Sequence, residues 1–81
     1  MNNNKANAER KYYAWANNDQ GASLDVTLPM SERRHSMRAF EDAARNQLGS
    51  GWKVHIMQVD IDGDGQSVIG QPHEVKTFTI R

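Results

Sequence analysis

Between Ser23 and Leu28 polar and apolar residues alternate without a break, with Leu24, Val26 and Leu28 on one side and Ser23, Asp25 and Thr27 on the other. A period of two marks a half-buried β-strand. Upstream, Tyr12, Tyr13 and Trp15 favour a strand over Lys11–Ala16, and the same period puts Tyr13 and Trp15 on one face. Between the two runs stands Asn17-Asn18-Asp19-Gln20-Gly21, a turn in which the glycine supplies a positive φ and closes a hairpin.

The period then changes. Pro29 ends the second strand, and Ser31 is placed to cap a helix over Glu32–Leu48. Met37, Phe40, Ala44 and Leu48 recur at three- and four-residue steps, which makes one apolar stripe that faces a sheet. Glu41 and Arg45 are spaced as an i,i+4 ion pair in the favourable order. Gly49 sits where a left-handed C-terminal cap belongs.

Trp52–Ile61 reads as a third strand with a change of face. Trp52, Val54 and Ile56 share one side, and then the apolar set moves to Met57, Val59 and Ile61. Such a switch needs a bulge, or else cover for the second set from a partner, a second subunit or the amino-terminal tail. Asp62-Gly63-Asp64-Gly65 is turn chemistry, Val68 and Ile69 begin a returning strand, and Gly70–His73 interrupts it before Glu74–Ile80. The expected fold is α+β: a four-stranded, mostly antiparallel sheet in the order β-β-α-β-β, with one helix packed on one face. The other face is left open, and Tyr12, Met57, Val59 and Ile61 are assigned to it as an interface.

With 81 residues the chain holds one core, and residues 10–81 read as a single domain without repeats. Residues 1–9 contain four Asn and little to bury, so they read as a flexible tail. The apolar fraction of 37% is gathered into periodic runs, which sets the chain apart from a disordered one. Without cysteine it has neither disulfides nor a thiolate metal site. No apolar stretch reaches the length of a membrane span and the amino terminus is no secretory signal, so the expected location is cytoplasmic. Ten basic and ten acidic side chains cancel, which weighs against a general nucleic-acid binder.

Candidate chemistry is sparse. Asp60-Ile61-Asp62-Gly63-Asp64-Gly65 resembles the first half of an EF-hand calcium loop. The twelfth position is Gln71 where a bidentate Glu belongs, and the flanks are strand, so the string reads as an acidic hairpin tip with no metal site. Arg33, Arg34 and Arg38 crowd the expected start of the helix, where cations oppose its dipole and an acidic partner or a phosphate would relieve them. The alternative is a solvated face, with Arg38 near Asp42. Tyr12, Tyr13, Trp15 and Trp52 read as core aromatics ahead of a stacking platform for single strands, with Tyr12 the most exposed. His35, His55 and His73 show no metal-ligand spacing and no nucleophile–base pairing, so no catalytic residue or cofactor is assigned.

The basic stretch Arg33–Arg38 beside the acidic tip Asp60–Asp64, in so short a chain without cysteine, resembles the small inhibitors encoded by phages and mobile elements, such as anti-CRISPR proteins. That resemblance implies a non-enzymatic α+β domain that occludes a surface of a larger, nucleic-acid-handling protein complex. Asp60, Asp62 and Asp64 would then stand in for phosphates against a basic groove. Two other readings stand beside it. One is a nucleic-acid-binding regulator that uses Arg33, Arg34 and Arg38, and the other is a homodimer or oligomerising module with a weak calcium site.

Overall fold

A computed structural model describes residues 9–62 and 67–81. The first hairpin pairs β1 (Glu9–Asn17) with β2 (Ser23–Val26). Its turn is built as the residues dictate: Asn18 Oδ1 accepts from the Gln20 and Ala22 amides at 3.0 and 3.1 Å, and Gly21 takes φ +84°. After α1 (Met37–Gln47), β3 (Lys53–Ile61) and β4 (Val68–Thr79) complete one antiparallel sheet in the order β2-β1-β3-β4. The fold is α+β, with one helix on one face of an open sheet.

The core is small and built for close approach. Ala14 and Ala16 of β1, Ala43, Ala44 and Phe40 of α1, Val26, Val54, Ile56 and Ile80 form its buried cluster. Four alanines let helix and sheet backbones come together, and Tyr12, Met37, Leu48, Trp52 and Phe78 close its edges. Two side-chain contacts fasten the helix to β4. Lys76 Nζ lies 2.9 Å from Glu41 Oε1, and the Arg45 guanidinium sits 4.6 Å from the Phe78 ring centroid. Glu41 and Arg45 therefore reach across to the sheet, and the ion pair expected between them gives way to these contacts.

The helix cap lies five residues later than the expected one at Ser31. Ser36 is the N-cap, its hydroxyl accepting from the Ala39 amide at 3.1 Å. Ahead of it the chain makes local bonds, Glu32 N–H to the Pro29 carbonyl at 2.9 Å and Arg34 N–H to Glu32 Oε1 at 2.8 Å. Such bonds compete with helix formation, and they leave Arg33, Arg34 and His35 on the segment ahead of the cap. Arg38 alone of the three arginines lies on the helix, paired with Asp42 at 3.7 Å. At the other end Gly49 has no positive φ; Gly51 does, at +95°, and its N–H bonds the Ile80 carbonyl at 2.8 Å.

The faces of β1 are the reverse of the expectation. Ala14 and Ala16 are buried under the helix with Tyr12 packed beside them, whereas Tyr13 and Trp15 lie on the open face. Bulky aromatics would hold the helix away from the sheet, so the alanines take the inner side. β2 is also shorter than the alternation suggested: pairing ends at Val26, and Leu24, near the outer edge, stays exposed. Of the tail assigned to 1–9, Glu9 opens β1 and the remainder lies outside the described residues.

Candidate binding surface

Register sets what the open face carries. β1 and β3 pair without irregularity from Glu9↔Ile61 to Asn17↔Lys53, so the face switch in β3 is no bulge. Val54 and Ile56 point to the helix, while His55, Met57, Val59 and Ile61 point away from it beside Trp15, Tyr13, Lys11 and Glu9. Val59 is only 9% exposed, and Met57 and Ile61 are half-buried, within the single chain. Tyr13, 39% exposed, and Val68, 54% exposed and paired with Ile61, are the large apolar side chains this face presents, whereas Tyr12, assigned to it by the sequence, packs on the helix side.

Beside Tyr13 lies a polar network around His55, whose side chain is 12% exposed. Its Nδ1 lies 2.5 Å from Glu74 Oε1, its Nε2 lies 2.7 Å from Asn17 Oδ1, and its ring stacks on Trp15. The network crosses from β1 through β3 to β4 because β4 is bulged. Lys76 opposes Ile56 and Glu74 opposes Met57, leaving Val75 as the extra residue. Without that residue Glu74 would fall on the helix side of the sheet. Hydrogen bonds from the His55 ring, first, and from the Thr77 hydroxyl hold the Glu74 carboxyl below its ordinary value. Both His55 ring nitrogens are engaged, one by Glu74 and the other by Asn17.

Charge is arranged differently from the sequence reading. Arg33 and Arg34 lie on the irregular segment before α1, exposed, and make no ion pair among the described residues. Arg38 is neutralised by Asp42. Of the acidic tip, Asp60 lies within β3 with its carboxylate 3.9 Å from Arg10 Nε. The Asp62 amide bonds the Ser67 carbonyl at 2.7 Å, and Asp64 lies outside the described residues. Among the described residues no cluster of His, Asp or Glu is placed to hold a metal ion, and no helix is long and apolar enough to cross a membrane.

A cavity of about 470 Å³ opens where β2 ends and the chain turns away from β1. Tyr12, Leu28 and Phe40 line it, with Met30, Glu32 and His35 at the segment that leads to α1. The sequence reading missed this site, since it needs β2 to stop at Val26 while β1 runs on. The one signal in the chain was Pro29, which bars a longer β2. No protein-family model, curated protein or solved structure matches this chain.

Proposed function

We propose that the protein is a small non-enzymatic binding protein that docks through the open face of its sheet and occludes a surface of a larger protein complex, as anti-CRISPR inhibitors do. The observation that carries this reading is the uncovered face itself, with Tyr13 on it beside the Trp15–His55–Glu74 network that ties three strands together. The chain measures 51 × 27 × 17 Å, so the slab presents a broad side wide enough for the roughly 800 Å² per partner of a stable complex. With both His55 nitrogens occupied, the most enzyme-like group on this face has an architectural role.

The test uses Tyr13→Glu and Thr79→Glu, two exposed positions on that face. Both variants are expected to melt with the parent and to lose the complex that the parent retains and inhibits. Undiminished retention and inhibition by both would overturn the reading. A second reading, a nucleic-acid-binding regulator, is favoured by Arg33 and Arg34 alone, which make no ion pair among the described residues. It requires affinity for oligonucleotides that falls steeply with salt and with Arg33→Glu.

A further inference from the structure

β1 is longer than its neighbour. Of its nine residues, β2 pairs only Ala14–Asn17, and Glu9–Tyr13 are paired on the β3 side alone among the described residues. Alternate residues of that stretch turn backbone N–H and C=O groups outward, an unfilled lane for one more strand. The 470 Å³ cavity lies beside this lane, with Tyr12 and Tyr13 on the β1 side and Leu28, Met30 and Phe40 opposite.

We infer that the Glu9–Tyr13 edge is a strand-addition site for an extended segment of a protein partner, with an apolar side chain in the cavity and acidic side chains flanking it. Strand addition takes its affinity from main-chain hydrogen bonds and its selectivity from pockets that receive alternate side chains. Both elements stand side by side here. The charge preference follows from Arg33 and Arg34, without an ion pair among the described residues and on the segment that walls the cavity, whereas Glu9 and Lys11 already satisfy each other at 3.0 Å. Glu32, the acidic group in the cavity wall, accepts the Arg34 amide at 2.8 Å. The sheet's other edge is defended: β4 carries Pro72, Lys76 and two breaks in its register with β3. Tyr13 borders both this site and the open face, whereas Thr79 lies on the open face alone.

The experiment uses the whole chain and two acetylated, amidated seven-residue peptides, one alternating glutamate with leucine and one alternating lysine with leucine. The glutamate peptide is expected to bind with Kd on the order of 100 μM and to slow hydrogen exchange of the outward amides within Glu9–Tyr13. The lysine peptide, a glutamate peptide N-methylated at alternate residues, and the Arg33→Glu/Arg34→Glu and Met30→Asp variants should each bind about tenfold more weakly. The variant positions are exposed, and unchanged melting will show that folding is intact. Thr79→Glu should bind the peptide as the parent does, which separates this site from the open face. The inference is overturned by absence of binding at millimolar peptide, by equal affinity for the lysine or N-methylated peptide, or by protection that falls on Val68–Thr79 instead.

Discussion

Trp15 and His55 lie face to face across the β1–β3 pair, with ring centroids 4.1 Å apart and planes 14° from parallel. They are register partners on the side of the sheet that the helix does not cover. The stack covers one face of the imidazole, and Asn17 and Glu74 hold its two nitrogens in the ring plane. Three strands are thus tied together outside the core.

Because the contact is direct, Trp15→Ala and His55→Ala should not be additive. A double-mutant cycle in urea is expected to give a coupling of about 0.5–1.5 kcal/mol, as stacked aromatic pairs do. Strict additivity would remove the stack from the stabilising contacts.

Acid should loosen the same network. Glu74 is held below its ordinary value of 4.5 by His55 and Thr77, so its contribution is present above that value. It is lost as the pH falls through the lower folded value. The melting temperature should therefore drop below about pH 4.5, and Glu74→Gln should flatten part of that drop. Parallel profiles for parent and variant would disprove the assignment.

The position of the helix start has its own test. Ser36→Ala removes the hydroxyl that accepts the Ala39 amide and should cost about 1 kcal/mol. Ser31→Ala should leave denaturant midpoints unchanged, since Ser31 is exposed and caps nothing. The reverse ranking would restore the longer helix.

Ile56 is fully buried at the centre of the sheet. Ile56→Ala should cost about 2–5 kcal/mol and Ile56→Val about 0.5–1.5. A chain of 81 residues has a total of only about 4–12 kcal/mol, so the alanine variant should lose a large share of its stability and melt well below the parent by circular dichroism. A melting curve within a few degrees of the parent would mean that the core lies elsewhere.

Much of the architecture was legible along the chain because it is local. Alternation in Ser23–Leu28 and the two apolar sets of Trp52–Ile61 marked strands, observed at Ser23–Val26 and Lys53–Ile61, and the Met37, Phe40, Ala44, Leu48 stripe marked the helix and its buried side. Asn18 and Gly21 marked the hairpin, since their backbone preferences act within four residues. The late helix start was not legible, because Ser31 and Ser36 are both capping residues and the local bonds of Glu32 and Arg34 decide between them.

Alternation alone decided that residues of β1 fall into two sets, Tyr12 with Ala14 and Ala16, and Tyr13 with Trp15. Which set faces inward was decided by the tertiary structure, since hydrophobicity ranks the aromatics first while the gap to Ala43 and Ala44 admits only small side chains. The same holds for Glu74, whose place beside His55 depends on one extra residue, Val75, in the β3–β4 register. It holds also for the free edge at Glu9–Tyr13, which exists because two strands of unequal length were paired. Period and turn chemistry are properties of neighbours in the chain, but faces, registers and edges are properties of what each strand meets across space.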